Sequence, residues 1–183
     1  MTVDFHAVET ATEQAVKQGV FPGAVLLVGS REDVLYERAF GWRSLLPDRT
    51  PMSLSTIFDL ASLTKPLATT LGIMLLVNEK KIHLDDQVTR YLPAFANTAT
   101  KIRHLLNHTS GLPAWKPYYK AVIRSATSER TGFDGTRSAK SYILEQVHRE
   151  APVAAPGMQS LYSDLGFMVL GEIIETISGS NLD

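Results

Sequence analysis

Phe5, Val8, Ala11 and Ala15 recur at the three-to-four-residue step of a helix, which predicts an amphipathic helix over residues 4–18. Phe21-Pro22-Gly23 punctuates it. Residues 24–29 (AVLLVG) and 34–41 (VLYERAFG) then read as two strands joined by the polar turn SRED. Residues 42–55 carry Pro47 and Pro51 and no period, so they read as irregular. Leu67, Leu71, Met74 and Leu75 mark one side of a helix predicted over 62–78. The stretch KIHLDDQVTRYLP reads as a turn and a short element that stops at Pro93. IRHLLNHTSGL predicts a short helix closed by Gly111, the residue type that most easily takes a left-handed cap. Residues 116–137 are polar and weakly patterned, with Gly132 and Gly135, and read as a long loop. Two further helices follow, one over SAKSYILEQVHRE and a last one over 165–179 that ends on a glycine.

The order is therefore one helix, two strands and a run of helices, a mixed α/β pattern. An isolated hairpin is marginal in water, so the apolar AVLLVG strand needs further strand partners. Either a second chain supplies them or the sequence is the front part of something longer. Residues 1–60 read as the sheet-forming part, and residues 61–183 as the helical part.

Composition narrows the function classes. The chain has 183 residues, is 44% hydrophobic and 20% charged, and carries a net charge of -1. That balance fits a globular protein and argues against nucleic acid or an anionic membrane as the main partner. No window approaches the ~18 consecutive apolar residues of a membrane helix. The N-terminus is acidic where a secretory signal is basic. With no cysteine there are no disulfides or thiolate metal sites, which fits a cytoplasmic address.

Ser62 and Lys65, in DLASLTKPLATT, form a Ser-x-x-Lys pair just before an apolar run. Chance alone supplies about 0.6 such pairs in a chain of this composition, so the spacing by itself says little. In one reading Ser62 caps the helix and Lys65 is a solvated first-turn side chain. In the other, residues three apart share a helix face and the amine reaches the hydroxyl. The helix N-terminus then favours developing negative charge, and a desolvated lysine becomes a neutral base. A hundred residues on, Tyr162-Ser163-Asp164 follows a Pro-Gly turn at the foot of the last helix. Tyr162 is either a core side chain or a proton carrier whose anion Lys65 stabilises. Asp164 is a helix cap in the first reading.

SLTK, then HTSGL at residues 108–112, then YSD resembles the serine β-lactamase-like superfamily. The kin in view are class C β-lactamases, D-alanyl-D-alanine carboxypeptidases and related esterases. FPGAVLLV, KIHLDDQVTRYLP, LLNHTSGLP and YSDLGFMVLGEIIE extend the resemblance over residues 21–183. It implies a β-lactamase or penicillin-binding-protein-like fold: an antiparallel sheet flanked by helices, incomplete here, plus an all-helical domain.

By that resemblance Ser62 is the acylated nucleophile, Lys65 its base and orienting partner, and Tyr162 the second proton-transfer residue. The implied reaction is acyl transfer through a covalent acyl-serine on a small-molecule ester, amide or β-lactam-like substrate, with no cofactor or metal. Position 164 is commonly asparagine in the lactamases and peptidases. Asp164 favours the ammonium form of Lys65 and offers no N–H donor, which points to esters over β-lactams. HTSGL resembles a structural stretch, a helix stop at the floor of the site. Trp115, Tyr118 and Tyr119 either line an acyl pocket or anchor their loop. The family's third motif, Lys-Thr-Gly or His-x-Gly on a late strand, is missing, so the expectation is an N-terminal portion carrying half of the site. The alternative from another class is a non-catalytic penicillin-binding sensor or scaffold.

Overall fold

The computed structural model describes residues 4–129 and 137–182 and falls into two compact units, residues 1–59 and 60–183.

In the first unit, helix α1 (His6–Lys17) accompanies strands β1 (Gly23–Gly29), β2 (Val34–Ser44) and β3 (Thr50–Pro51). They form one antiparallel sheet in the order β1-β2-β3, with Val25 opposite Ala39 and Leu27 opposite Glu37. The third strand corrects the reading of residues 42–55 as irregular. β2 runs three residues past Gly41, and Trp42 pairs with Pro51 and Ser44 with Thr50. Proline is tolerated here because β3 is an edge strand of two residues. Gly23 and Gly41 face each other because nothing larger fits: a Cβ on Gly23 would lie 2.6 Å from the Trp42 carbonyl oxygen. α1 is tied down by polar contacts. Arg38 on β2 pairs with Glu9 at 2.9 Å and Glu13 at 3.0 Å, and the Tyr36 hydroxyl donates to Glu9 at 2.8 Å.

The second unit holds the apolar core. Ile73, Ile82, Val88, Phe95, Ile102, Leu105, Leu112, Val147, Leu165, Val169, Leu170 and Ile173 are all essentially inaccessible to solvent. Four of them, Leu165, Val169, Leu170 and Ile173, recur at helical spacing on α6 (Asp164–Ser178), which makes that helix the centre of the unit. Each such side chain contributes roughly 1.5–3 kcal/mol of transfer free energy on burial. α6 packs closely on α2 (Leu71–Asn78) at Gly72, where a Cβ would lie 2.8 Å from the Ile174 side chain. That crossing brings the segment before α2 to the foot of α6.

The segment preceding α2 departs from the single helix predicted over 62–78. Ala61–Leu63 is a 3-10 turn, Lys65–Thr70 a wide π turn, and the regular helix starts only at Leu71. The helical face also differs. Leu67, Leu71, Met74 and Leu75 are about half exposed, whereas Ile73 and Leu76 are buried. α2 is apolar on nearly every side, so periodicity could not single out the face that tertiary packing would use.

The helix α3 (Ile102–Leu106) stops earlier than predicted. His108, at φ 59, takes the left-handed conformation expected of Gly111, and the Thr109 N–H closes on the His104 carbonyl at 2.8 Å. Gly111 is also left-handed, but its role is close approach: a Cβ there would lie 1.9 Å from the Ala154 carbonyl oxygen. Residues 116–137, read as a loop, contain helix α4 (Tyr119–Glu129), anchored by buried Val122. One apolar anchor in a polar stretch gives too weak a period to read. Gly132 and Gly135 lie outside the described residues. α5 (Arg137–His148) follows and is fixed to α6 by the His148–Glu172 contact at 2.6 Å.

Candidate active site

The 3-10 turn, the first π residue and the foot of α6 bring Ser62, Lys65, Tyr162 and Asp164 together. The Lys65 ammonium donates to the Ser62 hydroxyl oxygen at 3.3 Å and pairs with Asp164 Oδ1 at 2.7 Å. It also sits 4.9 Å from the centre of the Tyr162 ring and 5.8 Å from that of Phe167, within cation–π range of both. The Tyr162 phenol lies close enough to Lys65 and Ser62 for both to stabilise its anion. The serine, the lysine and the tyrosine, a hundred residues apart in sequence, thus form one cluster.

Local geometry explains why each side chain is available. Ser62 is exposed, because its 3-10 turn lies at the surface of the unit. Ala61 before it has φ 44, a left-handed value uncommon for a residue with a side chain. Pro66 fits immediately after Lys65 because it sits in the first turn, where a missing N–H breaks no bond. At the other end, the cap of α6 is Ser163 and not Asp164. The Ser163 hydroxyl accepts from the Gly166 N–H at 3.2 Å and donates to the Pro113 carbonyl at 2.7 Å. With the capping task taken by Ser163, the Asp164 carboxylate is left for Lys65.

The electrostatics follow from this arrangement. Burial works against the charge on Lys65, yet its interactions with the Asp164 carboxylate and the Tyr162 oxygen outweigh it and raise the lysine above its usual value. The resting lysine is therefore an ammonium. Tyr162 moves the other way: hydrogen bonds from Lys65 and Ser62 stabilise its phenolate and lower its pKa, against smaller opposing contributions from burial and Asp164.

Asp164 and Tyr162 thus lie at the reacting groups. Trp115 follows Ala114, whose carbonyl accepts the Asp164 N–H at 2.9 Å, and its indole is exposed with its ring 6.3 Å from that of Tyr119. Tyr118 points elsewhere. Its hydroxyl donates to Glu150 at 2.6 Å, and it packs on the apolar core, pinning the loop to the end of α5. Two further residues lie at the site. His108, read from the sequence as structural, has its ring 4.4 Å from that of Tyr162 and 5.1 Å from that of Phe167. Phe167 was missed, although a residue three after Asp164 shares its helix face.

An open cavity of about 1150 Å3 runs between α5 and α6, bordered by Thr64, Ala68, Phe167 and Met168. Ser62, Lys65, Tyr162 and Asp164 do not line it, so it lies beside the reacting groups and not around them. Among the described residues, no three His, Asp or Glu side chains are grouped to hold a metal ion.

The Beta-lactamase family model matches residues 8–183. Esterase EstB of Burkholderia gladioli is 35% identical over 186 residues, covering 93% of this chain and 44% of that protein. An N-acetylmuramyl-L-alanine amidase of Bacillus subtilis (strain 168) is 31% identical over 199 residues, covering 100% of this chain and 43% of that one. Among solved structures, EstCE1, a hydrolase with promiscuous acyltransferase activity, superposes with a TM-score of 0.74 at 32% identity, over 97% of this chain and 48% of that one. The chain spans less than half the length of the curated relatives it matches.

Proposed function

The chain belongs to the β-lactamase family, and from that membership we propose that it is a serine hydrolase acting on carboxylic esters through a covalent acyl-Ser62 intermediate. The observation that carries the reading is the contact set Ser62–Lys65–Tyr162, in which a surface serine hydroxyl meets a lysine ammonium and a phenol of lowered pKa. This is the arrangement of an activated nucleophile and its base.

Tyr162 takes the part of general base. Ser62 Oγ attacks the ester carbonyl carbon while its proton passes to the Tyr162 phenolate. The carbonyl oxygen becomes an oxyanion, toward which the Ser62 N–H supplies one donor, as in the family. Collapse of the tetrahedral species breaks the bond to the alcohol, which leaves with the proton from Tyr162. Water then attacks the acyl-serine by the same route, returning the acid and free Ser62. Lys65 remains an ammonium throughout and holds the phenolate charge by proximity.

Asp164 supports esters over β-lactams and amides. A carboxylate at this position accepts hydrogen bonds but donates none to a substrate carbonyl. It also keeps Lys65 charged, and an alcohol needs less help to leave than an amine. The relatives include both an esterase and an amidase, so Asp164 is what tips the reading.

Intact-mass analysis with p-nitrophenyl acetate, then with a penicillin, tests it. A transient acetyl adduct on Ser62, absent in Ser62→Ala, is expected. A long-lived penicilloyl adduct with no ester turnover would make the chain a sensor, and an Ser62→Ala protein labelled at the wild-type rate would remove Ser62 from the chemistry.

A further inference from the structure

We propose that His108 is a positioning residue for Tyr162, holding the residues on both sides of it while its ring lies against the phenol. The proposal rests on the reading of Tyr162 as the base at Ser62. It goes beyond the helix-stop role that the HTSGL stretch suggests.

Three contacts converge on one side chain position. The Leu161 N–H donates to the His108 carbonyl at 2.8 Å. The Ser163 N–H donates to His108 Nδ1 at 3.0 Å. Between these two clamped residues, the Tyr162 ring stacks on the imidazole at 4.4 Å with a tilt of 34°. Phe167 lies 5.1 Å from the same imidazole, so the histidine is held in turn. Tyr162 itself is half exposed, so the imidazole and the Lys65 ammonium are what its ring meets. Proton transfer needs the phenol oxygen within hydrogen-bond reach of Ser62, and a misplacement of about 1 Å costs on the order of 10²-fold in rate.

The clamp dictates the state of the histidine. An Nδ1 that accepts an N–H carries a lone pair, so the proton sits on Nε2 and the ring is neutral. Burial and the nearby Lys65 ammonium both push the pKa of His108 down, against a smaller opposing pull from Asp164. Burial and the Lys65 charge therefore keep it in the form that can accept. Its left-handed backbone is part of the same device. With φ at 59, His108 turns its carbonyl and its side chain toward one partner strand of chain, residues 161–163.

The test pairs His108→Gly, which keeps the left-handed backbone but removes the acceptor and the ring, with His108→Asn, which restores an acceptor oxygen and also tolerates that backbone. Two readouts are taken on the whole chain: the rate of Ser62 acylation by p-nitrophenyl acetate with its concentration dependence, and the titration of Tyr162 by 13C-tyrosine NMR, assigned with Tyr162→Phe. His108→Gly should acylate about 10²-fold more slowly at saturating ester, with half-saturation unchanged within about twofold. Its Tyr162 titration should move up toward that of a free tyrosine, and His108→Asn should recover at least tenfold of the lost rate. A folded His108→Gly protein with wild-type acylation and an unmoved Tyr162 titration would overturn the proposal. If His108→Gly does not fold, His108→Asn decides alone: acylation within about tenfold of wild type is expected, and a 10²-fold loss overturns the clamp. If the wild type is never acylated, the hydrolase reading fails, and the Tyr162 titration still judges His108.

Discussion

The Lys65 ammonium is held 2.7 Å from the Asp164 carboxylate and only 3.3 Å from the Ser62 hydroxyl, so the lysine is committed to its charge before any substrate arrives. A charged amine cannot take the serine proton. The same charge makes Tyr162 more acidic, which is why the proposed mechanism gives the work of the base to the phenol.

Replacing Asp164 by asparagine should reverse that balance. Asp164→Asn removes the carboxylate that raises Lys65 and adds an N–H donor toward the substrate carbonyl. The ratio of penicillin acylation to ester acylation, read by intact mass, should rise at least tenfold. An unchanged ratio would mean that position 164 does not set the substrate class.

The pH profile follows from the direction of the tyrosine shift. The active form is the phenolate, and its folded pKa lies below the ordinary value of 10.0. Acylation should therefore rise with pH with its midpoint below 10.0, falling as pH drops through the lowered Tyr162 pKa. Tyr162→Phe should lose about 10²–10⁴-fold in rate and the pH dependence with it. Stopped-flow acylation across pH 6–10 measures both, and a pH-independent wild type would contradict this role.

Alkaline stability carries a separate signature. Lys65 titrates higher in the folded chain than the ordinary lysine value of 10.5, so its pair with Asp164 stabilises fully below that value. The contribution is lost as pH rises through the folded pKa. Thermal melts at pH 7 and pH 11 should differ less for Asp164→Asn than for wild type. Equal differences would show that the ion pair adds nothing to folding.

Tyr118 and Trp115 should behave differently. Tyr118→Phe removes the hydroxyl that donates to Glu150, a loss of about 1–2 kcal/mol in stability, with half-saturation for ester unchanged. Trp115→Ala, at an exposed ring one residue from the Ala114–Asp164 bond, should instead weaken ester binding with little change in melting. Denaturant unfolding and steady-state kinetics on both variants separate them. The reverse pattern would put Tyr118 in the substrate pocket.

The core and its tightest turn are open to the same kind of test. Leu170→Ala empties a fully buried position on α6 and should cost about 2–5 kcal/mol in urea unfolding. Gly111→Ala forces a Cβ against the Ala154 carbonyl at a left-handed φ, and should lose more than the ~1 kcal/mol typical of a strained backbone position. A Gly111→Ala protein as stable as wild type would show that the 152–154 loop moves aside freely.

What the sequence determined is whatever local chemistry can announce. The run of α6 core residues appears because burial on one face repeats at a fixed step, whereas α1 and the two strands around the SRED turn show through period and turn residues with almost no position fully buried. The motif residues Ser62, Lys65 and Tyr162 were legible as candidates through their order along the chain. Tertiary structure decided the rest. Only the crossing of α2 and α6 at Gly72 could show which face of an all-apolar helix is buried. Only the Ser163 cap, taking the α6 N-terminus, could leave the Asp164 carboxylate to pair with Lys65. His108 reads as a helix stop in sequence, because nothing local reveals that its Nδ1 meets a backbone N–H 55 residues away. Periodicity records how a segment faces its own core, whereas proton ownership depends on which charges the fold brings within a few ångströms.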